Sequence, residues 1–231
     1  MISKANNWGV TQMNIKYLLS GINAEEGFSE EIVPFMQSDI KGGKVVFIPT
    51  NFDDYGKNQM YLDLDLRLFN DIGINFDSAI IIHSKMNKEQ AKREVETADV
   101  IFLWGGDTLE QIRNIQEYDL IPSLQKRDGA TIGISAGAIN MSDNVVFVRY
   151  GKETLYYKGI GLVNINVDPH FSIEDDEYIQ NNLLPSSHGK KLICLTDESI
   201  IRVSGLNEVM YFGDCYEVQN GNIKLIDNKH N

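Results

Sequence analysis

Ser135 has the sequence surroundings of a nucleophile. It is the centre of a G-x-S-x-G pattern, Gly133-Ile134-Ser135-Ala136-Gly137, which follows a short apolar run and precedes small residues that can begin a helix. A sharp turn from strand to helix lifts a serine hydroxyl out of the sheet and crowds the residues two before and two after it, where glycine relieves the crowding. The pattern predicts a serine that attacks carbonyl groups. An ordinary strand-to-helix turn, in which glycine only permits close packing, is the alternative.

A serine hydroxyl is a weak nucleophile until a base takes its proton, so this chemistry needs a histidine. The chain has four: His83 ends a predicted strand, His188 lies in a predicted loop, His230 is the penultimate residue, and His170 follows Pro169 at the end of another predicted strand. In open parallel sheets, ligands collect where strands end. The position therefore favours His170 as the base and leaves His83 as an alternative.

The base in turn needs a carboxylate to orient it. Asp197 and Glu198 directly follow the predicted strand Leu192 to Thr196, so one of them should reach the same edge of the sheet as His170. Asp168 is too close to His170 in sequence for an easy contact with the imidazole edge. The residues alone leave the choice between Asp197 and Glu198 open.

A glycine pair follows another predicted strand. Gly105 and Gly106 come after Val100 to Leu103, and a loop without side chains leaves its amides unshielded. One N–H from this loop and the N–H of Ala136 would form a two-donor oxyanion hole. A plain turn is the competing interpretation, and neither phosphate-loop consensus is present.

Short apolar runs alternate with helical patterns through the first two thirds of the chain, which predicts an α/β fold with a mostly parallel central sheet and helices on both faces. The predicted strands there are Ile15 to Leu19, Lys44 to Ile48, Ser78 to Ile82, Val100 to Leu103 and Ala130 to Ile134, with helices over 30–39, 57–71 and 88–97 and one or two helices over 109–127. The C-terminal part is rich in strands: Asn144 to Arg149, Gly161 to Val167, Leu192 to Leu195, Ile200 to Val203, Val209 to Phe212 and Asn222 to Ile226, with one helix over 173–184. Without a linker or a shift in composition, we expect one domain over 1–231, with 1–13 as an N-terminal extension.

Composition narrows the class of protein. Of the 231 residues 42% are hydrophobic and 23% charged, enough for a substantial core. The net charge of −12 repels nucleic acids and anionic membranes, so neither is an expected partner. Two cysteines, no cluster with metal-ligand spacing, no apolar run of about 18 residues and no signal-peptide pattern suggest a cytoplasmic protein without a metal.

Three segments together resemble the dipeptidase E and cyanophycinase family of serine peptidases. They are Trp104-Gly105-Gly106-Asp107-Thr108, Gly133-Ile134-Ser135-Ala136-Gly137-Ala138 and Asp168-Pro169-His170-Phe171, and the resemblance runs from about Ile15 to Ile226. It implies a fold like that of the class I glutamine amidotransferases, with serine in place of their cysteine. It also implies a peptidase that cleaves small peptides without a cofactor.

The resemblance assigns roles residue by residue. It implies that Ser135 is the nucleophile, His170 the general base, and the amides of Gly106 and Ala136 the oxyanion hole. In cyanophycinase-like members the acid is the glutamate of an Asp-Glu pair that follows a later strand. The resemblance therefore implies that the acid is Glu198.

The same resemblance places Asp107 and Thr108 in the substrate-binding site, but one segment departs from the family. Members that prefer N-terminal aspartate carry an arginine shortly after the His-Phe pair, whereas 174–177 is Glu-Asp-Asp-Glu. Like charges repel an acidic substrate, so we expect no strict aspartyl specificity. An amine or a basic side chain would suit these acids if they face the pocket; a solvated helix start is the alternative.

Two other functions remain open at this stage. An α/β-hydrolase esterase shares the G-x-S-x-G pattern but would need His188 or His230 as base, with Asp168 or Asp197 as acid. A catalytically inactive or regulatory binding domain of the same fold is the non-enzyme alternative. A glutaminase is disfavoured because neither cysteine lies near an elbow. A homodimer is compatible with the sequence.

Overall fold

A computed structural model describes residues 14–205 and 208–227. The N-terminal extension 1–13 and His230 lie outside the described residues. The strands are β1 Lys16–Leu19, β2 Lys44–Ile48, β3 Ser78–Ile81, β4 Val100–Leu103, β5 Ala130–Ile134, β6 Asn144–Arg149, β7 Lys152–Lys158, β8 Asn166–Pro169, β9 Lys191–Leu195, β10 Ile200–Ser204, β11 Glu208–Phe212, β12 Cys215–Gln219 and β13 Asn222–Leu225. The helices are α1 Val33–Asp39, α2 Tyr55–Asp71, α3 Lys88–Glu96, α4 Thr108–Glu117, α5 Ile121–Lys126, α6 Ala136–Asn140, α7 Asp176–Tyr178 and α8 Leu184–Ser186, and a π-helical segment, Ile179–Leu183, joins α7 to α8.

The central sheet has seven strands in the order β11-β10-β1-β5-β4-β2-β3. The five strands from β1 to β3 in that order are parallel to one another. β10 and β11 extend the β1 edge in antiparallel orientation. This mixed α/β architecture, mostly parallel and flanked by helices, confirms the fold class predicted from the alternating pattern.

Apolar side chains on both faces of the strands explain why helices cover the sheet on both sides. In β1, Leu18 belongs to one core cluster, whereas Tyr17 and Leu19 belong to the other. In β4, Ile101 and Phe102 divide in the same way. Continuous apolar runs of this kind are what a parallel sheet buried on both faces requires.

The C-terminal part adds a four-stranded sheet, β13-β12-β9-β8, and the β6-β7 hairpin. The sequence analysis missed β7 and β12, and it placed one strand over 161–167 where the structure has β8 over Asn166–Pro169. β7 is largely exposed and β12 is only partly buried, so neither carries the continuous apolar run that indicates a buried strand.

Helix boundaries shift by a few residues, and the segment predicted to form one or two helices, 109–127, forms two. The pattern over 109–127 forms α4 and α5, separated at Asp119, whose φ of 59° is outside the helical range. The predicted helix over 173–184 begins later, at Asp176, because the side chain of Asp175 accepts a hydrogen bond from the N–H of Tyr178 and caps it.

The parallel arrangement brings several chain segments to one edge of the sheet. β1, β4 and β5 end there at Leu19, Leu103 and Ile134. The ends of β8 and β9, which are parallel to each other, supply the loops that carry His170 and Asp197. Residues that are far apart in sequence therefore meet at the carboxyl ends of strands, the usual position of ligand sites in such sheets.

Candidate active site

Ser135 lies on a strained turn between β5 and α6. Its φ of 50° and ψ of −109° are unusual for a residue with a side chain, and its N–H donates to the carbonyl of Leu19 at 2.9 Å. A Cβ at Gly133 would lie 2.7 Å from the carbonyl carbon of Gly137, and a Cβ at Gly137 would lie 2.2 Å from the carbonyl oxygen of Leu103. The glycines are therefore required by packing, and the strain falls on the residue that presents the hydroxyl.

His170 directly faces this hydroxyl. Its Nε2 lies 3.0 Å from Ser135 Oγ, and its Nδ1 lies 2.8 Å from an Asp197 carboxylate oxygen. With the proton on Nδ1 donated to Asp197, Nε2 is free to accept the proton of the serine hydroxyl. His170 also has a positive φ of 60°, and its backbone N–H donates to Ser20 Oγ at 2.7 Å, which fixes the loop.

The structure places Asp197, and not Glu198, against the imidazole. The N–H of Ser199 donates to the carbonyl of Thr196 at 3.1 Å, so the chain turns tightly after β9. Within that turn Glu198 adopts a φ of 68°, and its carboxylate accepts a hydrogen bond from Asn23 at 3.4 Å. Backbone geometry thus directs two neighbouring carboxylates to different partners.

The Gly105-Gly106 loop lies against Ser135. A Cβ at Gly105 would lie 3.3 Å from Ser135 Cβ and 4.0 Å from Ser135 Oγ. Gly106 has a φ of +128°, and a Cβ there would lie 2.7 Å from Thr50 Oγ1, so only glycine fits. On the other side of the serine, Ala136 is the first residue of α6, where an N–H has no acceptor within the helix.

Asp107 and Thr108, predicted to bind substrate, have different surroundings. The carboxylate of Asp107 accepts from the N–H groups of Leu109 and Glu110 at 2.9 and 2.8 Å and so caps α4. Thr108 is buried and lines a cavity together with Ser135. The structure therefore gives Asp107 a capping contact and leaves Thr108 in the same cavity as Ser135.

This cavity, called the serine cavity below, has a volume of about 280 Å³. Its polar and charged lining is formed by Thr108, Ser135, Asp168, His170, Ser172 and Asp175. Its aromatic lining is formed by Phe147, Tyr150 and Tyr178. The side chains of His170 and Asp197 are 54% and 76% exposed, so the site is open to solvent.

Asp168 and Asp175 supply the two carboxyl groups of the serine cavity. Asp168 lies on its inner side, where burial raises the pKa of the carboxyl to about 7 against the opposing effect of hydrogen bonds from the Tyr178 hydroxyl at 2.8 and 2.9 Å. Of the acidic run over 174–177, only Asp175 lines the cavity, and it also caps α7. The run is therefore mainly a helix start, with one carboxylate turned toward the site.

The remaining histidines and the cysteines have other surroundings. His83 packs against the ring of Tyr55 at 5.7 Å, and His188 is exposed after α8. Cys194 and Cys215 are buried on β9 and β12. Neither the esterase arrangement with His188 as base nor a cysteine nucleophile matches these positions.

Ser20 is a residue of the site that the sequence analysis missed. Its hydroxyl accepts from the N–H of His170 at 2.7 Å and donates to the carbonyl of Leu195 at 3.2 Å, so it connects the ends of β1, β8 and β9. The one signal in the sequence was its position directly after β1. Within 14–205 and 208–227, no group of three His, Cys, Asp or Glu side chains is placed to hold a metal ion.

Comparison with known proteins defines the class of this protein as a peptidase. The profile of peptidase family S51 matches residues 17–209, and the chain belongs to that family. It is 26% identical over 172 residues to "Peptidase E" of Haemophilus influenzae, covering 68% of this chain and 73% of the relative. It is 24% identical over 193 residues to "Probable alpha-aspartyl dipeptidase" of Drosophila melanogaster, covering 76% and 75%.

Solved structures share the fold. A peptidase from an acI-B1 Actinobacterium superposes with a TM-score of 0.71 at 16% identity, covering 95% of this chain and 96% of its own. A peptidase E-like protein from Listeria monocytogenes EGD-e superposes with a TM-score of 0.64 at 18% identity, covering 87% and 98%. In the described part of this chain, no helix has both the length and the apolar character needed to cross a bilayer.

Proposed function

We propose that the protein is a serine peptidase that hydrolyses short peptides through an acyl-enzyme on Ser135. The observation that carries this proposal is the 3.0 Å contact between His170 Nε2 and the hydroxyl of a serine held at positive φ. A base within hydrogen-bond reach, itself oriented by a third group, is the arrangement that nucleophilic catalysis needs. Asp197, 2.8 Å from Nδ1, is that third group.

The reaction follows from these positions. As the Ser135 oxygen bonds to the carbonyl carbon of the peptide, its proton passes to His170 Nε2, and the oxygen of the tetrahedral intermediate accepts hydrogen bonds from the amides of Gly106 and Ala136. His170 then gives the proton to the leaving nitrogen as the C–N bond breaks. A water molecule hydrolyses the acyl-enzyme by the same steps, with His170 as base and then acid. Asp197 stabilises the imidazolium at both stages.

Strict selectivity for N-terminal aspartate is not part of the proposal, although one relative is named as an alpha-aspartyl dipeptidase. The serine cavity has Asp168 and Asp175 in its lining and neither arginine nor lysine. A substrate carboxylate placed there would meet like charge and no bidentate partner. Small peptides with neutral or basic residues are the better match.

Labelling with a fluorophosphonate tests the mechanism. The wild-type protein should react at Ser135, and Ser135→Ala should abolish both the labelling and peptide hydrolysis. Loss of labelling and turnover in His170→Ala, with both retained in His188→Ala, would separate this mechanism from the esterase alternative. Labelling of Ser135→Ala, or an unreactive Ser135 in the folded wild-type protein, would contradict the proposal, and the second outcome would favour a binding domain.

A further inference from the structure

A second cavity, the loop cavity, lies beside the Gly105-Gly106 loop and has a volume of about 280 Å³. It shares Gly105, Gly106 and Ile134 with the immediate surroundings of Ser135, and His170 is not part of its lining. Its wall is largely apolar and aromatic, formed by Ile22, Tyr61, Leu64, Leu68, Phe102 and Trp104. The mechanism described above uses none of these side chains.

One buried carboxylate lies in this wall. Asp65, on α2, is 9% exposed, and one of its oxygens accepts from Trp104 Nε1 at 2.6 Å. Across the described ranges, no donor is in hydrogen-bonding distance of the other oxygen, Oδ1. Burial raises the pKa of Asp65 to about 7, and the indole hydrogen bond opposes that rise. A carboxylate oxygen without a hydrogen-bond partner in an apolar cavity favours a ligand that donates a hydrogen bond to it.

The same residues connect Asp65 to the nucleophile. Trp104, which holds Asp65, is followed by Gly105, and a Cβ on Gly105 would lie 3.3 Å from Ser135 Cβ. A peptide whose carbonyl reaches Ser135 can therefore place a side chain in the loop cavity. His170 must give its proton to the leaving nitrogen, and it lines the serine cavity, so the leaving residue belongs on that side. The loop cavity, which His170 does not line, therefore lies on the side of the residue whose carbonyl is attacked.

We propose that the loop cavity binds the side chain of the substrate residue whose carbonyl is attacked, and that Asp65 makes this cavity selective for lysine or arginine. The aliphatic stem of such a side chain would contact the apolar wall, and its charged end would contact the free oxygen of Asp65. A desolvated carboxylate pairs most strongly with a cation, and the face of Trp104 also attracts one, whereas the ring of Tyr61 already has Lys57 Nζ 5.7 Å from its centre. Two exposed residues of opposite charge, Asp54 and Lys57, also line this cavity. This inference rests on the proposed peptidase function.

Three dipeptides test it: Lys-Leu, norleucine-Leu and Asp-Leu, which share the N-terminal ammonium and the leaving residue. We expect kcat/KM for Lys-Leu to exceed that for norleucine-Leu by about tenfold or more, as for a charge-assisted hydrogen bond, with Asp-Leu the poorest. In Asp65→Asn, whose side-chain oxygen can still accept from Trp104, the ratio of Lys-Leu to norleucine-Leu should fall to about one.

The matched control is Asp54→Asn, which removes the other negative charge of the cavity lining and keeps a capping side chain for α2. It should retain the preference for lysine. A wild-type ratio near one, a preference for Asp-Leu, or an equal loss of selectivity in Asp54→Asn would overturn the role of Asp65. If Ser135 reacts with the fluorophosphonate and norleucine-Leu is cleaved while lysine gains nothing, this inference fails and the peptidase function stands. If Ser135 does not react and none of the peptides is cleaved, the proposed function fails as well.

Discussion

His170 Nδ1 lies 2.8 Å from a carboxylate oxygen of Asp197, and the neighbouring Glu198 is hydrogen-bonded elsewhere, to Asn23. The two acids are adjacent in sequence, but only one can fix the tautomer of the imidazole. Because the Asp197 side chain is 76% exposed, water competes for this contact. Its effect on catalysis should therefore be smaller than that of a buried carboxylate in the same role.

Replacing each acid by its amide distinguishes them. Asp197→Asn should lower kcat by about 10²- to 10³-fold, below the ~10⁴-fold loss known for a buried triad aspartate, because the amide favours the wrong tautomer. Glu198→Gln should change kcat by less than about threefold, since it only loses a contact with Asn23. Steady-state kinetics on one peptide measures both. A larger loss in Glu198→Gln than in Asp197→Asn would transfer the orienting role to Glu198.

The strained backbone of Ser135 should cost stability. A φ of 50° with a ψ of −109° is the mirror image of a conformation that L residues adopt easily, so glycine can take it without strain. Ser135→Gly and Ser135→Ala both lose the hydroxyl, but only glycine also loses the Cβ. We expect Ser135→Gly to be more stable than Ser135→Ala by about 1 kcal/mol in urea unfolding. Equal stabilities would show that the turn is not strained.

The proposed role of the Gly105-Gly106 loop in binding the oxyanion can be tested at Gly106. A Cβ there would lie 2.7 Å from Thr50 Oγ1 and would be attached to a residue with a φ of +128°, so Gly106→Ala should move the loop and its amide. We expect kcat to fall by about 10²-fold or more, as when one oxyanion donor is lost.

Gly151→Ala is the control for that substitution. Gly151 also has a positive φ, of +60°, but it lies in the β6-β7 hairpin with open space around it. The variant should keep its kcat within about twofold. If Gly106→Ala also keeps its kcat, the amide of Gly106 does not stabilise the oxyanion.

Asp168 should make stability depend on pH. Its pKa is about 7 in the folded protein, against 3.8 for an ordinary aspartate, because burial disfavours the charge. Between about pH 4 and 7 the folded state holds a proton that the unfolded state has lost, so this contribution to stability falls as the pH rises, by no more than about 1.4 kcal/mol per pH unit. Asp168→Asn removes this contribution.

Urea unfolding of the wild type and Asp168→Asn at several pH values measures that effect. The free energy of unfolding of the variant, relative to that of the wild type, should increase from pH 4 to 7 and stay level above it. A constant difference over that range would mean that Asp168 titrates normally in the folded protein. Asp65, whose pKa is also raised, is present in both proteins and cancels in the difference.

The sequence by itself determined the elements whose signals are local. The elbow at Ser135 was predicted because the glycines around it and the apolar strand before it are neighbours in the chain. His170 was favoured because it follows a strand end, and the parallel sheet was predicted from continuous apolar runs such as Val100–Leu103. In each case the residue types within a few positions carry the physical constraint.

Only the tertiary structure decided which distant groups meet. The choice between Asp197 and Glu198 depends on the backbone turn after β9 and on where Asn23 lies, neither of which is written in the pattern of residue types. The contact between Asp65 and Trp104 likewise requires α2 to pack over β4, 39 residues along the chain. Hydrophobic periodicity says which face of an element is buried but not which partner covers it, so contacts of this range emerge only when the layers are assembled.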